Sequence, residues 1–463
     1  MKARGDILLV ACYELGHQPL AVAWPVAFLE REGYHPSVMD LSVEPFDAEK
    51  VARAKLVAIS VPMHTALRLG VTVAQRVREG NPRCHVCFFG LYAGLNAEYL
   101  FTVGAGSVIG GEVEGPLVEL ARSLESGDER PIAFVHQRGH AAPPHLRKLD
   151  FPVPSRAHLP SLKSYARLER DGRREPVGYV EGTRGCLHLC RHCSIPPVYG
   201  GRFFAVPADV VSADVRQQVA AGASHITFGD PDFLNGPTHA LRLARALHAE
   251  FPEVTFDFTA KIEHLLRHRA RLGELARLGC VFVVSAAESL SDTVLAHLDK
   301  GHTRSDVVTA LRVTRQAGIE LRPTWVAFTP WTSLEDYQDL LDFIDAEDLI
   351  DRIDPVQYSL RLLVPPGSLL LESAAMRPYL GPLEQEGFSH RWSHPDARMD
   401  RLQDSVAAAV TAGAERGEDA AVTFDRVRTL VDEMMGGPAH PSAALRLAPD
   451  RARPPRITEP WFC

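Results

Sequence analysis

The stretch Glu181-Gly182-Thr183-Arg184-Gly185-Cys186-Leu187-His188-Leu189-Cys190-Arg191-His192-Cys193 sets three cysteines in one short loop directly after an apolar run, 178–183. That run opens a series of short apolar segments, at 225–228, 254–258, 281–285, 321–328 and 356–361. Patterns of helical period separate them, as at 240–250, 272–278, 305–317 and 334–344. Strand and helix therefore alternate six times across 176–370. Alternation at this pitch implies parallel strands with crossover helices.

Six such units predict a partial (β/α)6 barrel of TIM type, whose site lies at the carboxyl ends of its strands. The cysteine loop falls on that face. Upstream, residues 1–125 alternate in the same way, with apolar runs at 7–11, 37–41, 56–61, 85–89 and 107–109 and helical patterns at 20–32 and 67–79. This predicts an α/β, doubly wound, Rossmann-like domain that binds ligands at its strand ends. Its lips are then 13–17, 61–64, 90–94 and 110–114. Gly110, Gly111 and Glu112 are candidates for close backbone approach to a ligand, because glycine has no Cβ. A domain of this kind that binds nothing is the competing reading, and no GxGxxG follows the first strand. Residues 126–175 carry Pro131, Pro143, Pro144, Pro152, Pro154 and Pro160 and read as a linker. Residues 371–437 read as a C-terminal helical region, and 438–463 as an extended Pro-rich tail ending in Cys463.

The chain has 463 residues, which at roughly 150 per domain suggests about three domains. With 46% hydrophobic and 23% charged residues, it is not a disordered chain. Acidic residues exceed basic ones, 58 to 50, which argues against nucleic acid as a partner and against a polybasic membrane surface. No apolar run approaches the roughly 18 residues that span a bilayer. Eight cysteines are too few for a disulfide scaffold, so a reducing, cytoplasmic setting is expected. Cys12, Cys84, Cys87 and Cys280 lie in strand-like contexts and read as small core residues.

Cys186, Cys190 and Cys193 form the pattern CxxxCxxC. Three thiolates in one loop suit three irons of a cubane [4Fe-4S] cluster and leave the fourth iron open to a small molecule. Zinc held by the three cysteines with His188 or His192 is an alternative, although structural zinc sites usually combine two knuckles. A redox disulfide between Cys190 and Cys193 would leave Cys186 unused.

These residues resemble the signature of the radical SAM superfamily, with His192 at the aromatic position of CxxxCx(aromatic)C. The likeness extends over 176–370. It implies that the open iron chelates S-adenosylmethionine (SAM), that reduction of the sulfonium yields a 5′-deoxyadenosyl radical, and that His192 packs near adenine. Phe228-Gly229-Asp230-Pro231 stands where the family has its glycine-rich turn for the methionine amino group, with Asp230 in place of the commoner Glu. Ser285 and Glu288 resemble the ribose-contacting element. An acid at a helix N-terminus is the plainer reading of Glu288. Lys261 and Arg322 are placed to reach the SAM carboxylate, or are ordinary solvated charges. The implied partners are a small-molecule substrate and an electron donor such as flavodoxin or ferredoxin.

A doubly wound domain ahead of such a barrel resembles the cobalamin-binding subfamily, as do the run 117–124 and Pro365-Pro366-Gly367. The resemblance implies methyl or alkyl transfer with cobalamin as a further cofactor. The DxHxxG motif is absent, so a bound cobalamin would lack the axial histidine of that motif. The ending Arg456-Ile-Thr-Glu-Pro-Trp-Phe-Cys463 resembles radical SAM proteins with CUAEP or CCAEP tails. That likeness implies a selenocysteine codon directly after Cys463, read as a stop. Cys463 then becomes a candidate catalytic residue that presents a metalloid or substrate to the barrel, with transfer of a SAM-derived group to it as the alternative reaction. A non-enzymatic zinc- or cluster-binding module is the remaining reading.

Overall fold

The computed structural model describes residues 1–437, 440–448 and 450–458. The chain builds two sheets whose strands run parallel for most of their width. In the first, β1 (Ile7–Ala11), β2 (Ser37–Asp40), β3 (Leu56–Ser60), β4 (His85–Phe89), β5 (Ser107–Ile109) and β6 (Val135–Gln137) take the order β2-β1-β3-β4-β5-β6. All pairs are parallel except β5 with β6. Every residue of β1 and β3 is buried. Burial on both faces explains why these strands read as unbroken apolar runs rather than alternating ones. The order reverses at β1, so the ends of β1 and β3 form a switch point where doubly wound sheets take ligands.

Residues 126–175 do more than link. They supply β6 to the first sheet and β7 (Arg167–Arg170) to the second, where β7 pairs antiparallel with β8 (Arg173–Val180). A short hairpin follows, β9 (Thr183–Gly185) with β10 (Phe203–Ala205), and the cysteine loop lies between its arms. The half-barrel then runs through β11 (His225–Phe228), β12 (Thr255–Thr259), β13 (Cys280–Glu288) and β14 (Glu320–Trp325). Its full order is β14-β13-β12-β11-β8-β7 with a last edge strand from the C-terminal region. The five strands β8, β11, β12, β13 and β14 are parallel, giving the curled half-barrel expected.

One expected strand takes another form. The run 356–361 is a 3-10 turn, Pro355–Ser359, followed by a single parallel bridge between Phe328 and Arg361. The backbone N–H of Trp325 donates to the side chain of Gln357 at 3.0 Å, so a side chain replaces a sixth strand at that edge. The proline at the first turn position is pre-set for this conformation.

Beyond the barrel come a hairpin, β15 (Leu380–Glu384) with β16 (Ser389–Trp392), and the helices Ala397–Glu415 and Ala420–Met435. The described part of the tail is not extended throughout: it holds a short helix, Ala443–Arg446, and is tied down beyond it. β17 (Arg456–Ile457) pairs antiparallel with β7, and Arg451 bridges Asp351 and Asp419 at 2.6 and 2.9 Å. Among the described residues, no helix is long and apolar enough to cross a membrane.

One buried latch joins the two sheets. Arg156, from the proline-rich segment, forms a bidentate pair with Asp214 at 2.6 and 2.7 Å. It also donates to the Gln18 side chain of the first domain at 2.9 Å and to the Tyr179 carbonyl of β8 at 2.6 Å. Changing Arg156→Met strands the Asp214 charge in the interior. The expected cost is about 3–5 kcal/mol, read as a lower urea midpoint, whereas an unchanged midpoint would show that the latch is not closed in solution.

Candidate active site at the seam of the two sheets

The seven described cysteines are free, and Cys190 and Cys193 form no disulfide. Cys186 and Cys190 are buried and Cys193 is half-buried. The Cys193 thiol is raised to about 12, by burial first and then by the charges of Cys190 and Cys186. Cys186 is raised by burial first, with a contribution from Cys190. Three thiols this close and this dry do not ionise together unless a metal group neutralises them, and this is the donor set a three-cysteine cluster requires. The loop is held from several sides. The Leu187 N–H donates to Asn235 Oδ1 at 3.3 Å, the Arg191 N–H to the Leu298 carbonyl at 2.9 Å, and the Ser368 hydroxyl to the Arg191 carbonyl at 3.1 Å. Ser368 follows the Pro365-Pro366-Gly367 element directly.

Neither histidine of the loop joins the sulfurs. His192 Nε2 meets Glu288 Oε1 at 3.0 Å, and His188 Nε2 faces Asp232 at 3.6 Å. Glu288 ends β13 with a left-handed φ of 66°, so it is not a helix N-terminal acid. Lys300 donates to the same Glu288 oxygen at 3.1 Å. Burial opposes the Glu288 charge, but Lys300 and then His192 overcome it and hold the carboxyl well below the usual carboxylate range. The ring nitrogen His192 Nδ1 and the amide Asn235 Nδ2 are buried without partners. Orphaned polar atoms on both sides of the cysteine loop fit a bound polar group such as SAM.

The glycine-rich turn after β11 is shaped by its neighbours. A Cβ on Gly229 would meet the Tyr179 ring at 2.2 Å. Asp230 is buried and accepts from Gly182 N–H at 2.9 Å and from the Thr183 hydroxyl at 2.5 Å, while burial lifts its carboxyl to about 6. Ser285 is buried and spends its hydroxyl on the Ala260 carbonyl at 2.6 Å, which fastens β13 to the end of β12. Lys261 Nζ lies 3.1 Å from His188 Nδ1 and 3.5 Å from Glu263. Arg322 lies elsewhere, inside the half-barrel, 3.3 Å from the Pro455 carbonyl and 3.6 Å from Asp354. Lys261 and Arg322 are both buried, which rules out the solvated-charge reading of each.

On the facing lip, Gly110 and Gly111 make their close approaches to the chain itself. A Cβ on Gly111, whose φ is 77°, would meet the His145 carbonyl at 2.4 Å, and one on Gly110 would lie 3.5 Å from Gly94 Cα. Glu112 is fully buried, accepts from Tyr199 OH at 2.8 Å and pairs with Arg184 at 3.1 Å. The same guanidinium meets Glu114 at 2.7 Å and Glu181 at 2.8 Å. Burial lifts both Glu112 and Glu181 to about 7 against the pull of Arg184. A cavity of about 380 Å³ opens here between the lips of the two sheets, lined by Trp24, Met63, Leu91, Tyr179 and by the acids Glu14 and Glu114. Glu114 Oε2 is buried without a partner. Apolar walls with a few polar groups are the lining of a small-molecule site. Arg184, Lys300, Asn235 and Asp232 were not evident from sequence; among these contacts, the Glu112–Arg184 and Glu288–Lys300 pairs join residues 72 and 12 positions apart. Cys463 lies outside the described residues.

Residues 180–344 match the family model described as the radical SAM superfamily. Over these residues the chain is similar to radical SAM domains, whose cofactors are a [4Fe-4S] cluster and SAM. Over 325 residues the chain is 24% identical to a hopanoid C-3 methylase from Methylococcus capsulatus, covering 68% of this chain and 62% of that protein. It is 22% identical over 337 residues to an uncharacterized methyltransferase from Pyrococcus horikoshii, covering 69% and 71%. The fold is similar to OxsB, a cobalamin-dependent SAM radical enzyme solved with aqua-cobalamin and SAM, at TM-score 0.71 and 14% identity over 88% of this chain and 67% of that one. It is also similar to the radical SAM methyltransferase TsrM from Kitasatospora setae, at TM-score 0.59 and 19% identity over 74% and 71%.

His17 reaches from the first domain to stack on Tyr179 of β8, ring centroids 4.5 Å apart. Burial depresses its imidazole from 6.5 to about 4. The unfolded chain therefore binds this proton first. The stability that the neutral ring contributes is complete above pH 6.5 and is lost as pH falls towards 4, up to about 3 kcal/mol. A His17→Gln variant should lose less stability than the wild type as pH is lowered across that window, measured by urea unfolding. Parallel pH profiles would contradict a buried neutral ring.

Proposed function

We propose that this protein is a radical SAM methyltransferase that acts on a small molecule with cobalamin assistance. The observation that carries the reading is the seam itself. The two flanks of a three-cysteine loop, Gly185 and Ile195, line one cavity together with the strand-end lips of a doubly wound domain. The likenesses to a methylase, to TsrM and to OxsB support it.

When bound, the cluster with SAM supplies one-electron reduction of the sulfonium and cobalamin supplies a methyl carrier. The chain's own residues bind, orient and keep water out. Cys186, Cys190 and Cys193 hold the cluster, and the Lys300 ammonium favours the thiolate form of Cys193. Lys300 and His192 keep Glu288 ionised, so that its oxygens accept hydrogen bonds from paired ribose hydroxyls. The turn Gly229-Asp230, pinned by Gly182 and Thr183, offers backbone to the methionine amino group. Lys261 at the loop's flank serves the SAM carboxylate. Glu14, lifted by burial to about 8, remains protonated at neutral pH and offers an O–H to a ligand in the cavity. An electron donor of flavodoxin or ferredoxin type completes the system.

Anaerobic reconstitution tests this. Expected are about four irons per chain, corrinoid retained through desalting, and formation of S-adenosylhomocysteine together with 5′-deoxyadenosine under reduction. Methylthioadenosine as the product would instead indicate aminocarboxypropyl transfer. Cys186→Ala, Cys190→Ala and Cys193→Ala should each abolish cluster and cleavage. Glu288→Gln should keep the iron but weaken SAM binding about tenfold or more, near 1.4 kcal/mol; unchanged affinity would remove Glu288 from the ribose role.

A further inference from the structure

A second cluster of ligating side chains lies beside the cysteine loop. His188 comes from the loop, Asp232 from the turn after β11, and His264 from the helix Ile262–Arg267 after β12. One ligand atom from each lies within 4.8 Å of the others. Asp232 is fully buried, His264 nearly so, and His188 is about one-seventh exposed, 14%. The two rings sit 4.4 Å apart between centroids.

The hydrogen bonding in this arrangement is poorly aligned. Asp232 Oδ2 lies 2.9 Å from His264 Nδ1 and 3.6 Å from His188 Nε2, yet both nitrogens are buried with no hydrogen-bond partner. They face the carboxylate without aiming an N–H along the line to it. Ligands that share a cation with bonds of about 2.1 Å stand about 3.0 Å apart at a right angle and about 3.6 Å apart at 120°. The two observed separations match these values. The carboxylate is already oriented by the backbone, because Leu234 N–H donates to Oδ1 at 2.9 Å and Lys261 N–H to Oδ2 at 3.2 Å.

We propose that His188, Asp232 and His264 form a mononuclear site for a divalent first-row cation. Two imidazoles and one carboxylate are a borderline donor set suited to zinc or ferrous iron, and three protein ligands leave a position open. The charges close sensibly. Neutral imidazoles and one carboxylate leave the loaded site at plus one, and Lys261 is balanced by Glu263 at 3.5 Å. The Lys261 ammonium touches His188 on Nδ1, the ring nitrogen away from Asp232, and Glu263 lies 3.8 Å from that same atom. For Nε2 to bind the cation Nδ1 must carry the ring proton, so Lys261 turns its ammonium to Glu263, 3.5 Å away, and Glu263 becomes the outer partner of His188. Because His188 lies between Cys186 and Cys190, such an ion would tie the cysteine loop to the ends of β11 and β12.

Zinc is the probe. Full-length protein with its cluster reconstituted is incubated with Zn²⁺, desalted and assayed for zinc and iron. The expected result is about one zinc per chain beside a full iron content. His264→Ala and Asp232→Asn should lose the zinc and keep the iron and its absorbance. The triple Cys186→Ala, Cys190→Ala, Cys193→Ala chain should lose the iron and keep the zinc. Cobalt in place of zinc should give d–d bands without thiolate charge transfer. Zinc that survives His264→Ala, zinc that departs with the cysteines, or no zinc in fully iron-loaded protein each overturns the site. These readings do not depend on SAM cleavage, so the site and the methyltransferase reading stand or fall separately.

Discussion

The structure turns on one buried arginine. Arg184 lies two residues before Cys186 and reaches across the seam to Glu112 and Glu114 of the first domain while it pairs with Glu181 of its own segment. Its guanidinium also lies over the rings of Trp24 and Phe151, 5.5 and 4.9 Å from their centroids. Burying ions is expensive unless they are paired with good geometry. Burial lifts Glu112 and Glu181 to about 7 against the pull of that guanidinium, and the neighbouring Glu114 charge adds to the rise. Arg184 thus ties the segment before the cysteine loop to the Gly110–Glu114 turn, and it lines the cavity between the two lips.

The fold was legible in the sequence for a physical reason. Parallel strands buried on both faces must be apolar at nearly every position, so β1, β3, β4 and β11 stand out as runs. The cysteine loop was legible because three soft ligands at fixed spacing have few other uses. The run 356–361 was misread because Val356 to Arg361 has strand-like composition. Whether such a run pairs depends on a neighbour, and there Gln357 caps β14 with its side chain. The glycines 110 and 111 suggested a ligand, but absence of a Cβ says only that something comes close. Here that neighbour is the His145 carbonyl for one and Gly94 for the other.

Charged partners were the least legible part. Glu288 was recognisable by position, but nothing local announced that Lys300 would neutralise it, since the contact forms only when the segment after β13 folds back. Serine 285 carries the opposite lesson. Its position suggested a ribose contact, yet a buried hydroxyl must find a partner, and it satisfies itself on the Ala260 carbonyl.

The half-barrel's interior extends this logic. A cavity of about 280 Å³ is lined by His17 and Leu15 of the first domain, by Asp257, Arg322 and Asp354 of the barrel, and by Ile457 of the tail. Asp257 is held by His225 at 2.9 Å and by the Thr227 hydroxyl at 2.6 Å. A half-barrel of five parallel strands is open on one side and cannot by itself keep such polar groups from bulk water. Here the first domain's loop and the tail strand close it, each through specific bonds: His17 on Tyr179, and β17 on β7. The first domain is therefore a wall of the barrel's chamber, held there by the same kind of buried contact that shapes the site.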